Sequence, residues 1–359
     1  MNKILLILWL CLPIFAARTI YVPVTIQSAK IGETNAHFPY LVDLSRMPSA
    51  WWDSIRTKGN IFVKDGTGAV KHRVVDSLDF PAHKGFITID ASVSASANKV
   101  YNIYACADSA QANASNVFTV ANCVIRHSLD ESVSPLIDAC GNYDYINSGA
   151  MLGTSGKVGK CVNISGTVTI ASGSAITQMI GATKWTHSFL FNPNDFGGNW
   201  ISGNITDGHY FQGFVGIFNY AIAPGVYKTL SAASAFIPFA TWSLVSVVYD
   251  YSLGSDVDRL KLYVNGSNVL WNLQTGIVPS SLTTSAPWQY NNSSYPGAFY
   301  LDEEKMYSDA KSAGWETTEY NMIFDTTSVV IGSAVIPGAS RGAWGFSWGF
   351  RNWWNRAFW

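Results

Sequence analysis

The stretch "SVVYDYSLGSDVDRLKLYVNGSNVLW", residues 246–271, constrains the fold more than any other. Ser246, Val248 and Asp250 alternate with Val247, Tyr249 and Tyr251. After a polar connector, Leu260, Leu262 and Val264 alternate with Arg259, Lys261 and Tyr263. Asn265-Gly266 then interrupts, and Val269, Trp271 and Leu273 take up the same rhythm. Period-two alternation broken by Asn-Gly marks a tight hairpin, because both central turn positions need positive φ. A strand, a long loop, a strand, a tight turn and another strand are therefore expected. Leu260, Leu262 and Val264 belong on the core face, with Arg259, Lys261 and Tyr263 facing outward.

The rest of the chain follows the same pattern. Short runs of β-branched and aromatic residues are separated by Gly, Asn and Ser, and helical periodicity is nearly absent, so the fold class is all-β, with two β-sandwich domains. At 359 residues the chain is long enough for two or three cores. Lys plus Arg number 23 against 24 Asp plus Glu, which leaves no basic surface for nucleic acid.

Residues 1–17 have the layout of a secretory signal peptide: Lys3, an apolar run from Ile4 to Leu12, and small residues at Ala16-Ala17. The run is too short to span a bilayer, and no later stretch approaches that length, so no membrane span is expected once the leader is removed. Export makes disulfides the natural use of Cys106, Cys123, Cys140 and Cys161, which lack the Cys-x-x-Cys spacing of a zinc site. Cys140 with Cys161 is the favoured pairing and Cys106 with Cys123 the second, while all three connectivities of four cysteines stay open.

Three blocks follow the leader. Residues 18–108 read as a small sandwich with one short helix, "MPSAWWDSIRTKGN", started by Pro48 and ended by Gly59, its tryptophans packed in the core. Residues 109–122 are a small, polar linker. Residues 123–359 are strand-rich enough for one large double sheet, without the fixed repeat of a propeller or solenoid.

This last block resembles the laminin-G-like, concanavalin A-like lectin superfamily. The likeness rests on "VIRHSLD" with the Asp138–Asn142 turn and Gly156–Gly159, on "TWSLVSVVYD" with "LKLYVNG", and on the closing "WWNRAFW". The first block is similar to a bacterial and phage sandwich domain of unknown function that precedes such modules, through "FPYLVDL", "DSIRTKGNIFVKDGTG", "HRVVD" and "VYNIYACAD". The resemblance implies a double jelly-roll sheet and leaves function to the site, since this fold hosts lectins, hydrolases and inert spacers.

A glycosidase needs two carboxylates about 5–9 Å apart across the sugar. Its hydrolytic relatives carry Glu-x-Asp-x-x-Glu on one strand face, which is missing here. The nearest acids, Asp302, Glu303 and Glu304 in "LDEEK" and Glu316 and Glu319 in "WETTEY", are expected to be solvated, the second pair at helical spacing. No Gly-x-Ser-x-Gly elbow occurs, and the histidines show no ligand spacing, so the chain is not expected to be an enzyme.

Binding is the better expectation. Sugars are gripped by aromatic faces with Asn, Asp and backbone groups reading hydroxyls. Two loop-like stretches combine those types: Trp200, Asn204, Asp207 and Tyr210 in one, Trp288, Tyr290, Asn291, Asn292 and Tyr295 in the other. Their alternative is core packing in a sheet protein short of charge. Asp250, Asp256 and Asp258 offer oxygen ligands for calcium, against the plainer reading of a solubilising loop. The expected protein is exported and non-catalytic, binding a surface glycan or surface protein in adhesion or attachment. Its rivals are a structural virion, tail-fibre or periplasmic spacer role and, more remotely, a polysaccharide hydrolase.

Overall fold

The computed structural model describes residues 19–337, apart from 107–110, 115, 168, 195–199, 205–208, 215–216, 224–225, 231–232, 276, 283–286 and 292–296. The leader, residues 1–17, and the closing "WWNRAFW" lie outside the described residues.

The first sandwich uses β1 (Ile20–Ile26), β2 (Asn35–Asp43), β3 (Ile61–Asp65), β4 (Val70–Lys71), β5 (Arg73–Asp79), β6 (Lys84–Val93) and β7 (Lys99–Ala105). The second begins with β8 (Cys123–His127), β9 (Tyr145–Asn147), β10 (Met151–Ser155), β11 (Lys160–Gly166) and β12 (Ile170–Ala175). It continues through β13 (Lys184–Pro193), β14 (Trp200–Asn204), β15 (His209–Phe214), β16 (Ile217–Ala223) and β17 (Val226–Leu230). The expected hairpin supplies β18 (Ser243–Asp250), β19 (Leu260–Val264) and β20 (Ser267–Val269). Then come β21 (Asn272–Thr275), β22 (Pro287–Tyr290), β23 (Gly297–Tyr307) and β24 (Val329–Ile331). Four α-helices punctuate the described chain: α1 (Ser49–Trp52), α2 (Asn116–Thr119), α3 (Asp256–Arg259) and α4 (Ala313–Phe324).

The fold is all-β, in two sandwiches. The first packs a five-stranded sheet, β24-β1-β7-β3-β4, on a three-stranded one, β2-β6-β5. The second packs two eight-stranded sheets: β10-β11-β23-β13-β18-β19-β20 with β8 beside β23, and β21-β17-β16-β15-β14-β22-β12-β9. Leu262, Phe189, Phe211, Tyr220 and Trp185 meet between these two sheets, the alternation of each strand turning one face inward. No helix among the described residues is long and apolar enough to cross a membrane.

One apolar cluster runs from the first sandwich into the second, joining Leu41, Val74 and Phe118 to Val158, Leu190, Leu244, Tyr307 and Trp315. The three-stranded sheet thus turns its outer face to the second sandwich. Residues 116–122 are packed into this seam, with Val117 and Phe118 of α2 buried. Helix α4, capped by the Ser312 hydroxyl accepting from Trp315 N at 3.0 Å, covers the same side of the second sandwich. After α4 the chain returns to the first sandwich, where β24 pairs with β1 through Val24–Ile331 and Ile26–Val329. Among the described residues, the outer faces of the five-stranded sheet and of the β21-to-β9 sheet carry partly exposed side chains.

The hairpin at Asn265-Gly266 forms as expected, with both residues at positive φ. Leu260, Leu262 and Val264 are buried in the core. Tyr263, expected to face solvent, is buried as well, because α4 lies over β20 and the Gly266 turn and brings Glu316 close to it. The third strand of the motif is broken. β20 ends at Val269, Leu270 is 91% exposed, and β21 crosses to the opposite sheet to pair with β17.

Candidate functional site

The two aromatic stretches singled out in the sequence are neighbours in one sheet. β14 lies between β15 and β22, with Gly203 opposite both Tyr210 and Gln289. Period two decides which residues face outward. Ile170, Tyr290, Phe211 and Tyr220 point into the core, so the row Ala171, Gln289, Gly203, Tyr210 and Ala221 faces out. The next outward row along the strands is Gln212, Asn219, Thr229 and Asn272, paired in register across β15, β16, β17 and β21.

Tyr210, Gln212, Asn219 and Gln289 are partly exposed and Asn272 is exposed. None of these side chains is a carboxylate, an amine or a guanidinium. Thr229 Oγ1 donates to Asn219 Oδ1 at 2.8 Å, which fixes that amide and turns its NH2 away from the bond. The face is a sheet-borne array of amide donors and acceptors beside one tyrosine ring.

Several expected site residues lie elsewhere. Trp288 and Tyr290 are 2% and 0% exposed, and Asn291 is fully buried. They are core and frame residues rather than platforms, since Pro287–Tyr290 is a strand whose Trp288 and Tyr290 share the inward face. Asn291, at positive φ, accepts from Gly297 N at 2.8 Å and donates to Gly166 O at 2.8 Å, holding a turn. Asp207, Asn292 and Tyr295 lie outside the described residues. For Trp200 and Asn204 only the backbone in β14 is described. Tyr210 alone of the nine combines a described side chain with a place on the outer face.

The acids of "LDEEK" are not solvated. All of Asp302 to Lys305 is buried within the long strand β23. A bulge at Glu303, whose φ is +49°, shifts the pairing with β13 and re-aims successive side chains. Asp302 accepts from Lys157 N and Val158 N at 2.9 and 2.8 Å. Glu303 turns to the seam and meets Arg126 at 2.6 Å, and Arg126 also holds Asp76 of the first sandwich at 2.7 Å. Glu304 turns the other way, into the core. There His127 Nδ1 lies 3.1 Å and His187 Nε2 3.0 Å from its carboxylate, while the Tyr145 and Tyr290 hydroxyls donate to Oε1.

Burial opposes ionisation of Glu304, but hydrogen bonds to His127 and His187 outweigh it and hold the carboxyl near a pKa of about 2. Burial drives His187 below its usual value despite that carboxylate. It also pushes the Tyr145 and Tyr290 hydroxyls well above theirs, with the charge on Glu304 adding to the effect. Fully enclosed, with the Glu304 carboxylate bonded on both oxygens, this cluster fixes the packing of the two sheets and offers no approach to a polymer. Glu316 and Glu319 share α4, as their spacing implies, but both are buried. Glu319 meets Lys305 at 2.8 Å, and Glu316 is raised to about 8 by burial and by the charge on Glu319.

The three loop aspartates have separate partners. Asp250 faces Lys184 at 3.1 Å, Asp256 faces Arg259 at 2.6 Å, and Asp258 accepts from Ser255 Oγ at 2.6 Å. Among the described residues no group of three or more His, Cys, Asp or Glu is placed to hold a metal ion.

Neither expected disulfide is formed. The Asp138–Asn142 turn folds back on β8, Ala139 N donating to Arg126 O at 2.8 Å. It therefore leaves Cys140 Sγ 3.6 Å from Cys123 O, whereas Cys161 Sγ sits in β11 against Ser155 O. Thr19 Oγ1 donates to Cys106 Sγ at 3.3 Å, and Cys123 Sγ turns to Ile125 O at 3.0 Å.

No protein-family model matches the sequence, and no curated protein matches it. Among solved structures the chain is similar to the receptor-binding domain of botulinum neurotoxin mosaic serotype C/D, at 13% identity and a TM-score of 0.45, over 56% of this chain and 50% of that one. Domain 4 of AbnA, an extracellular arabinanase from Geobacillus stearothermophilus solved with arabinotriose, matches at 17% identity and a TM-score of 0.43. That match covers 55% of this chain and 98% of the arabinanase domain. The chain spans about half the length of the neurotoxin domains it matches. At such scores the likenesses carry no functional weight, and the sandwich is read from its own sheets.

Proposed function

We propose that this is an exported, non-catalytic glycan-binding protein whose second sandwich holds saccharide on the outer face of the β21-to-β9 sheet, in the service of surface attachment. The observation that carries the reading is the uncharged array of Tyr210, Gln212, Asn219, Asn272 and Gln289 on a rigid sheet. Amides donate and accept side by side, which suits adjacent hydroxyls, and a tyrosine ring suits the C–H face of a pyranose. The absence of catalysis is supported by Glu303 and Glu304 facing opposite sides of β23, each buried against its own cations or hydrogen-bond donors. Export is supported by the layout of residues 1–17.

A neutral-glycan array probed with the purified protein tests the binding. Any glycan retained should bind about tenfold more weakly to Gln212→Ala or Asn219→Ala, the loss of one or two hydrogen bonds. Retention of no glycan, or undiminished binding by both variants, overturns the reading. Release of reducing sugar by the pure protein, lost in Glu304→Gln, overturns the non-catalytic part. N-terminal sequencing of the exported protein tests the leader, and an intact Met1 contradicts it.

A further inference from the structure

The other solvent-facing sheet carries a different chemistry. On the five-stranded sheet of the first sandwich, the alternating burial of β1, β7 and β3 turns Tyr21, Tyr104, Phe62 and Lys64 outward. Register aligns three of them: Tyr21 lies opposite Tyr104, and Tyr104 opposite Phe62. The tyrosine rings stand 4.9 Å apart, centroid to centroid, tilted by 37°. Lys64, one step along β3, holds its ammonium 5.2 Å from the centre of the Tyr104 ring, and Asn102 lies opposite it on the same face.

Of these, Phe62, Lys64 and Tyr104 line a hollow of about 350 Å³, together with Thr19, Val70 and Cys106. Its lining includes one cation and no acid, and Lys64 forms no ion pair among the described residues. Three aromatic residues in a cross-strand row on an outer face are costly to leave in water when the inner face already has a complete core. A hollow of this size suits a ring-sized group rather than a folded partner, since small-molecule sites begin at about 300 Å³.

We infer that this hollow is a second binding site, specific for a carboxylate-bearing sugar: the ring stacks on Tyr104 and Phe62 while its carboxylate meets Lys64. Charge complementarity selects the anionic sugar. A neutral ring would leave the ammonium unanswered, whereas a carboxylate replaces water on it with a charge-assisted hydrogen bond. The site is on the sandwich opposite the amide-bearing sheet, so its existence does not depend on the neutral-glycan reading above.

Calorimetric titration of the whole protein with oligogalacturonate and oligoglucuronate tetramers, against galactotetraose and cellotetraose, tests the assignment. At least one uronate should bind while its neutral counterpart does not compete for the site, and binding should weaken as salt rises. Lys64→Gln should cost about tenfold or more in uronate affinity, while Tyr104→Phe, which keeps the ring, should bind within about twofold of the parent. Gln212→Ala on the other sandwich should leave uronate binding unchanged. Binding of neither uronate, equal binding by Lys64→Gln, or loss through Gln212→Ala each overturns the assignment.

Discussion

At the level of single residues, packing has claimed side chains that composition would assign to a ligand. Trp288 stands beside His187 at 5.2 Å between ring centres, inside the same cluster as Leu262. Its signal was present in the sequence, because Trp288 and Tyr290 are two apart and so share a strand face. An aromatic in a Pro- and Asn-rich segment simply reads as a loop when its strand is only four residues long. Leu262→Ala should cost about 2–5 kcal/mol and Trp288→Ala about 3–5 kcal/mol, both seen as a lowered urea midpoint. Parental stability in Trp288→Ala would show that the indole is not a core group.

Among elements, α4 and β23 depart most from what their sequences suggest. Beyond Asp302 to Lys305, charged residues such as Glu316, Glu319, Lys311, Arg126 and Arg73 are hard to foresee as interior, because the elements that bury them are distant in the chain. Helix α4 was legible as a Glu-x-x-Glu spacing, but the strand surface that covers it was not. Glu316 shows the result. Burial is the main influence on its carboxyl, reinforced by the charge on Glu319 and only partly offset by the Ser246 hydroxyl, which also bonds Ser188 at 3.1 Å. With a folded pKa of about 8 against an ordinary 4.5, the native state keeps a proton that the unfolded chain has lost. This group's effect is absent below pH 4.5, and stability then falls as pH rises toward 8, by about 1.4 kcal/mol per pH unit for one proton. Glu316→Gln removes that proton from the balance. Its stability relative to the parent should therefore increase from pH 5 to pH 8 in paired denaturation curves, and a constant difference would refute the assignment.

Across the whole molecule, the two sandwiches are joined by charge as well as by apolar packing. Arg126 lies between Asp76 of one sandwich and Glu303 of the other, under the ring of Phe118 at 5.2 Å. Burial alone would lower its pKa, but the surrounding Asp76, Glu303 and Asp130 raise it. Arg126→Met should destabilise the protein by about 3–5 kcal/mol, because two carboxylates are left buried together. Adding Asp76→Asn and Glu303→Gln should recover part of the loss, and an Arg126→Met protein as stable as its parent would remove the ion pairs from the account. The two-sandwich architecture was legible from alternation and turn residues. The seam was not, since a linker written in small polar residues conceals that Val117 and Phe118 are its anchors.

The return of β24 to the edge of β1 has a consequence for synthesis. Val24 meets Ile331, so the first sheet to leave the ribosome is finished by a strand made some three hundred residues later. Until then β1 carries an unsatisfied edge, the kind of surface that recruits a stray strand from another chain. The first sheet is therefore completed only after the second sandwich has been made, and contacts so distant in sequence make that final closure slow. On the export proposed above, an edge left open until β24 is made would keep the nascent chain loose during passage through a translocon, with the last strand sealing the sheet on the far side.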